Sequence, residues 1–264
     1  MKKYIRSLFN FFGYDVTKKE NLLRSKNFNN LCVAYEYLFG KYFGKVKNNN
    51  KRLFLIQRLL GTQPSEAYFI INLLEKTEKI DGDVCEFGIA QGETSALIAN
   101  EIRLTKKKLH LFDSFEGLPK PTEKDILKDD IDGLGNISAY KGTMSSPEEM
   151  VARRLKSVRF PKSRYIIHKG FIEDLVREKN GFPGEISFSY LDFDFYKPTK
   201  ITLDFLDKVT GRGSVVLVDD YDFFSTGVKT AVDEFISEKN KHTEKYKLSV
   251  PDKVFGHFAI IVKQ

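Results

Sequence analysis

The stretch VCEFGIAQGET, residues 84–94, decides how the rest of the chain is read. It begins as a short apolar run and ends by opening a helix expected to continue from Thr94 to about Leu104. Between the two, Gly88 and Gly92 permit a tight turn and leave room for another group to approach the backbone. A strand, a glycine turn and a helix open a βαβ unit. The same alternation continues downstream. Strands are expected at LHLFD (109–113), RYIIHK (164–169), ISFSYLD (186–192) and SVVLVDD (214–220). Helices are expected at 147–155, after Gly170, at Thr199–Val209 and at Gly227–Glu238, and a polar insertion occupies 116–146. The tail KYKLSV and FGHFAIIVK suits an antiparallel pair of strands. Upstream, helical patterns cover 1–14, 29–43, 52–60 and 65–77, the last bounded by Pro64. The expectation is an α/β fold, a doubly wound sheet over residues 79–264, preceded by a basic helical region at 1–78.

Composition narrows the class. With 41% hydrophobic and 13% aromatic residues in 264, disorder, collagen and coiled coil are excluded. Two cysteines, Cys32 and Cys85, build neither a disulfide framework nor a metal-ligand spacing, which points to a reducing compartment. No secretory leader and no run of about 18 uncharged apolar residues is present, so a cytoplasmic protein is expected. The formal charge of +7 averages two unlike parts. Residues 1–60 carry net +10 and residues 61–264 net −3, so a nucleic-acid partner is not expected. Residues 1–14, MKKYIRSLFNFFGY, combine cations with aromatics at helical spacing. That pattern fits peripheral contact with the inner face of an anionic membrane, or packing of the aromatic face on this chain or a partner subunit.

In doubly wound sheets a ligand sits beyond the carboxyl ends of the strands. The Glu86–Thr94 turn there offers either an anion site at a helix N-terminus or a plain structural turn. Asp113, 27 residues after Glu86, closes the next strand, where it either accepts hydrogen bonds from ribose hydroxyls or opens the turn DSFEGLP. Asp192 ends one strand and Asp219 and Asp220 end the following one, and a right-handed crossover puts these ends side by side. Carboxylates that close repel one another unless a cation intervenes, and oxygen ligands suit Mg²⁺.

Together CEFGIAQGETS, LFDSFEGLP, LDFDFYKPT and VVLVDDYDFFSTGVKTAVDEF resemble the macrocin O-methyltransferase family over about residues 55–262. The resemblance implies a class I methyltransferase sheet of seven strands with the last antiparallel and a helical N-terminal region that helps cover the site; a homo-oligomer is also expected. It also implies S-adenosylmethionine and Mg²⁺ as cofactors. The implied acceptor is a sugar hydroxyl, in a glycan, a glycosylated metabolite or a nucleotide sugar; chelation by Mg²⁺ suits a vicinal diol, and the high Lys, Asn and Phe usage of an AT-rich bacterial genome points to a surface polysaccharide. Motif by motif, it makes Asp192, Asp219 and Asp220 the Mg²⁺ ligands. It places Glu86, Gly88, Gly92 and Thr94 around the methionine portion of the cofactor, Asp113 and Ser114 at its ribose, and Ile172 and Glu173 beside its adenine. Asp194 is expected to orient the site without ligating.

Two departures from the family pattern matter. The family's histidine base in the insertion has no counterpart, because residues 116–155 contain no His; Tyr140 and His168 are the replacements considered, against a solvated loop tyrosine and a histidine packed beside the sheet. The family's Trp-Arg pair is Ala90-Gln91 here. Two other readings compete. A catechol-type methyltransferase with an aromatic acceptor is disfavoured by Phe195, where that class often has Lys. A non-catalytic membrane-surface or nucleic-acid binding module is disfavoured by the acidic trio, which repels phosphates.

Overall fold

A computed structural model describes residues 51–178 and 181–264. The helices expected at 1–14 and 29–43, and Cys32, lie outside the described residues. The helices are α1 (Arg52–Ile56), α2 (Pro64–Lys76), α3 (Glu93–Ile102), α4 (Glu148–Ser157), α5 (Ile172–Glu178), α6 (Tyr196–Val209) and α7 (Thr226–Lys239). The strands are β1 (Asp83–Phe87), β2 (Leu109–Asp113), β3 (Tyr165–Lys169), β4 (Ile186–Leu191), β5 (Thr210–Val218), β6 (Tyr246–Ser249) and β7 (Ala259–Lys263). They form one seven-stranded sheet in the order β3-β2-β1-β4-β5-β7-β6. Strands β1 to β5 are parallel, and β7 is antiparallel to both β5 and β6. This is the expected doubly wound, seven-stranded architecture.

Burial of both sheet faces explains why the strands read as nearly continuous apolar runs. Side chains alternate across the sheet. Leu109, Leu111 and Leu217 face a core shared with α1, α2, α3 and α4. Phe112, Val216 and Val218 face a second core shared with α5, α6 and α7. Helices α1 and α2, which the sequence places in the N-terminal region, pack into the first of these cores. Pro64 stands at the first helical position of α2, where its missing N–H costs nothing. No helix among the described residues is long and apolar enough to cross a membrane.

The strand order reverses between β1 and β4, so a crevice opens at the carboxyl ends of these strands. The insertion after β2 covers one side of it. Leu127 forms an antiparallel bridge with Ser225, and Asp125 Oδ1 accepts a hydrogen bond from Tyr196 N at 2.7 Å. Gly227 must be small there, because a Cβ would sit 1.8 Å from Asp125 Oδ1.

Candidate active site

Backbone bonds extending one residue past the ladder bring three strand ends together. Asp192 N donates to Phe87 O at 2.8 Å, and Asp219 N donates to Leu191 O at 2.9 Å. Close approach at this point requires Gly88. Its φ is +79°, and a Cβ would lie 1.8 Å from the Asp192 carbonyl oxygen. Beyond Leu191 the chain leaves the sheet. Asp194 (φ 61°) and Asp220 (φ 53°) take the left-handed conformation, which Asp tolerates better than most side chains. Ser225 Oγ donates to Asp194 O at 2.8 Å and holds this turn against the start of α7.

As a result, one carboxylate oxygen each from Asp192, Asp194 and Asp220 lie within 4.8 Å of one another. This trio differs from the expected one. Asp194 joins the convergence, whereas Asp219 turns aside: its Oδ2 accepts from Tyr190 OH at 2.6 Å and its Oδ1 from Asp220 N at 2.8 Å. Burial, followed by repulsion among the neighbouring acids, holds the Asp192 and Asp220 carboxyls well above the usual carboxylate range. Burial also raises Asp194 and Asp219.

The sequence reading missed Glu66 on α2. Its side chain is 2% exposed, its Oε1 has no hydrogen-bond partner, and burial followed by the charge of Asp219 raises it well above its ordinary value. The available signal was an acid two residues after Pro64, directly ahead of the apolar run AYFII. Behind Asp219 a buried hydroxyl chain continues from Tyr190 to Thr62 (3.3 Å) and from Thr62 to Thr94 (2.9 Å), tying the acidic end of β5 to the first turn of α3.

A cavity of about 520 Å³ lies over these acids. Gly88, Asp113, Ser114, Ile172, Glu173, Asp192, Asp219 and Asp220 line it, as does Asp194. Glu86, Gly92 and Thr94 do not. Glu86 is buried beneath the loop, its Oε2 has no hydrogen-bond partner, and burial, with the nearby charges of Asp113 and Glu93, raises its carboxyl to about 8. Thr94 belongs to the hydroxyl chain, and Gly92 packs on Val151 of α4. Asp113 braces the glycine turn: Oδ2 accepts from Ile89 N (2.7 Å) and Ala90 N (3.0 Å), and Oδ1 from Phe115 N (2.6 Å). Ser114 Oγ caps the next turn by accepting from Glu116 N at 3.1 Å.

Both replacement bases lie elsewhere. Tyr140 is fully buried in a small core with Leu118, Phe195 and Phe224. Its hydroxyl donates to Asp130 Oδ1 at 2.6 Å and accepts from Asp132 N at 2.9 Å, so it pins the insertion and does not face the cavity. His168 is level with Phe112 in the β2–β3 register and faces the second core. It stacks on Phe112 with ring centres 4.3 Å apart and meets His110 Nδ1 through Nε2 at 3.0 Å. Burial, then the neighbouring His110, lowers it to about 4, which makes it a poor proton acceptor at neutral pH. Among the described lining residues the titratable side chains are six carboxylates, with no His, Lys, Arg or Tyr.

Residues 71–250 match the family model for macrocin O-methyltransferase. No curated protein sequence matches the chain. Its fold is similar to the O-methyltransferase NovP, with a TM-score of 0.64 and 19% identity, covering 91% of this chain and 99% of NovP. The calicheamicin methyltransferase CalS11 is similar at TM-score 0.59 and 19% identity, covering 95% of each chain. The O-methyltransferase TomG of Streptomyces achromogenes, solved with S-adenosylmethionine, is similar at TM-score 0.54 and 16% identity, covering 91% of this chain and 98% of TomG. With its sheet order, its glycine turn and its acidic strand ends in one cavity, the chain belongs to the macrocin O-methyltransferase family and is an S-adenosylmethionine-dependent O-methyltransferase.

Proposed function

We propose that the chain methylates a hydroxyl of a sugar diol, with Mg²⁺ held by Asp192, Asp194 and Asp220. The observation that carries the metal reading is the convergence of their oxygens within 4.8 Å at the floor of the cavity. The donors are hard oxygens whose mutual repulsion a divalent cation relieves, which suits Mg²⁺. When bound, the cofactor supplies an electrophilic methyl group and the cation supplies a charge that lowers the pKa of an acceptor hydroxyl.

The chain's own residues do the positioning. Gly88 leaves backbone room at the mouth of β1, and Asp113, with lone pairs beyond its three backbone bonds, remains able to receive ribose hydroxyls. Ile172, 3% exposed, offers an apolar wall, and Glu173 Oε2, buried without a hydrogen-bond partner, offers an acceptor for a ring amine. Phe193, Phe223, Leu118 and Met144 shape the remaining volume for the acceptor. The acceptor's proton goes to a carboxylate, the titratable class that the described lining provides. CalS11, also described as a TDP-rhamnose 3'-O-methyltransferase, supports a sugar acceptor for this fold.

The test is methyl transfer from labelled S-adenosylmethionine to neutral glycosides, nucleotide sugars and a catechol, with Mg²⁺ or with a chelator. Turnover of a sugar diol that falls at least 100-fold in chelator and in Asp220→Asn is expected. Unchanged turnover in chelator overturns the metal assignment, and turnover of the catechol alone overturns the acceptor.

A further inference from the structure

The segments that lead into the amino-terminal ends of β2 and β3, the second of them including most of α4, carry a second feature at the opposite end of the sheet from the cavity. Residues 103–108 read RLTKKK, residues 150–164 read MVARRLKSVRFPKSR, and neither segment contains an acid. Arg164 stitches them together. Its guanidinium donates to the carbonyls of Arg103 (2.8 Å), Ile102 (3.1 Å) and Lys107 (3.2 Å from Nε). Lys107 turns inward, donating to Ile80 O (2.6 Å), Gly82 O (2.7 Å) and Ser187 Oγ (2.8 Å).

Arg154 pairs with Glu93 and Arg153 bonds back to Glu149 O, while Arg103, Lys106, Lys108, Lys156, Arg159 and Lys162 stand exposed. None of the six forms a salt bridge among the described residues. Asp81 and Asp83 border the group on the β1 side, where Asp83 accepts from the Lys108 backbone at 2.8 Å and lies 3.4 Å from His110 Nε2. Among these cations stands Leu104, with 86% of its surface exposed. A single exposed leucine is ordinary; one flanked by Arg103, Lys106 and Lys108, all exposed and without a salt bridge among the described residues, has the composition of a bilayer contact.

We propose that this face binds an anionic lipid surface, with Leu104 entering the headgroup layer and the six cations facing lipid phosphates. A nucleic-acid partner fits less well. The aromatic side chain in these segments, Phe160, is 4% exposed and lies under Arg164, so no ring is presented for stacking on bases. An apolar Leu104 also adds nothing to a phosphate-backbone contact. Since the cavity opens at the other end of the strands, the contact locates the enzyme without closing its site.

The test is co-sedimentation of the full chain with phosphatidylglycerol–phosphatidylcholine vesicles, with pure phosphatidylcholine vesicles, and with duplex RNA in parallel. Binding to the anionic vesicles and not the neutral ones is expected. Each cation is worth about fivefold in partitioning. The triple variant Lys106→Gln, Lys108→Gln, Lys162→Gln should therefore bind about 100-fold more weakly. Leu104→Ser, with charge unchanged, should lose several-fold, and both variants should keep the parent's circular dichroism and its turnover of a soluble acceptor. Three results overturn the proposal: no binding to anionic vesicles; binding unaltered in both variants, which assigns it to other residues such as 1–14; or RNA binding that the triple variant loses and Leu104→Ser does not, which makes the face a polyanion site.

Discussion

Lowering the pH from 7.5 to 5 forces a proton toward His168, and the fold resists it. The imidazole is 6% exposed, stacked on Phe112 and hydrogen-bonded to His110 at 3.0 Å, an arrangement suited to the neutral ring. Its pKa falls from 6.5 to about 4, chiefly through burial and then through His110. An unfolded chain titrates near 6.5, so between that value and 4 the unfolded state binds more protons. The contribution is therefore complete above pH 6.5 and is lost as the pH falls toward 4. Linkage gives a loss of about 0.8 kcal/mol at pH 6 and about 2 kcal/mol at pH 5. The acids of the site slope the other way. Their raised values favour the folded state as the pH falls, so total stability mixes the two effects. Comparison with His168→Phe isolates the histidine, because Phe preserves the stack on Phe112 and removes the titration. The assay is urea denaturation followed by circular dichroism at pH 7.5, 6 and 5. Whatever the variant costs at pH 7.5, the gap should move by about 2 kcal/mol in its favour at pH 5. Curves parallel to within about 0.5 kcal/mol across that range would refute the reasoning.

Gly88→Ala should cost at least about 3 kcal/mol, because an alanine at φ +79° is strained and its Cβ meets Asp192 O at 1.8 Å; a thermal melt should show it, with weakened Mg²⁺ binding by calorimetry. Glu86→Gln should stabilise the ligand-free fold by up to about 3 kcal/mol at pH 7. A carboxyl raised to about 8 contributes fully below its unfolded value and loses that contribution as pH rises, so the advantage should shrink toward pH 4.5 in the same urea assay. Tyr140→Phe should lose about 1–2 kcal/mol of stability through the missing bond to Asp130 and leave the shape of the pH–rate profile unchanged; a displaced basic limb would return Tyr140 to the chemistry.

Strand runs such as LHLFD and ISFSYL were legible because both sheet faces are apolar and few other elements accept so many buried side chains in a row. Asp192 and Asp219 were legible as strand ends for the same reason, each being the acid directly after such a run, and Asp220 follows one residue later. The place of Asp194 was not. Two-residue alternation already puts it on the Asp192 side, but the positive-φ turn after Leu191 that brings its carboxylate level with Asp192 and Asp220 leaves no mark in the sequence. For Tyr140 the sequence offers a base or a solvated loop tyrosine, and its burial is not legible because its core is assembled by Leu118, Phe195 and Phe224, three residues far apart in sequence and without shared periodicity. His168 was placed at a strand end correctly, but which face it takes depends on its register with Phe112. Glu66 was hidden because its partner, Asp219, is distant in sequence and nothing local marks the pairing.

The most direct test of the account is anomalous diffraction from crystals grown with Mn²⁺ in place of Mg²⁺ and with S-adenosylhomocysteine. One strong peak bonded to Asp192, Asp194 and Asp220 at the floor of the cavity is expected, lost in Asp220→Asn. A cofactor-bound structure with no peak there, or with a metal held by Asp219 while Asp194 stays clear of it, would contradict the account.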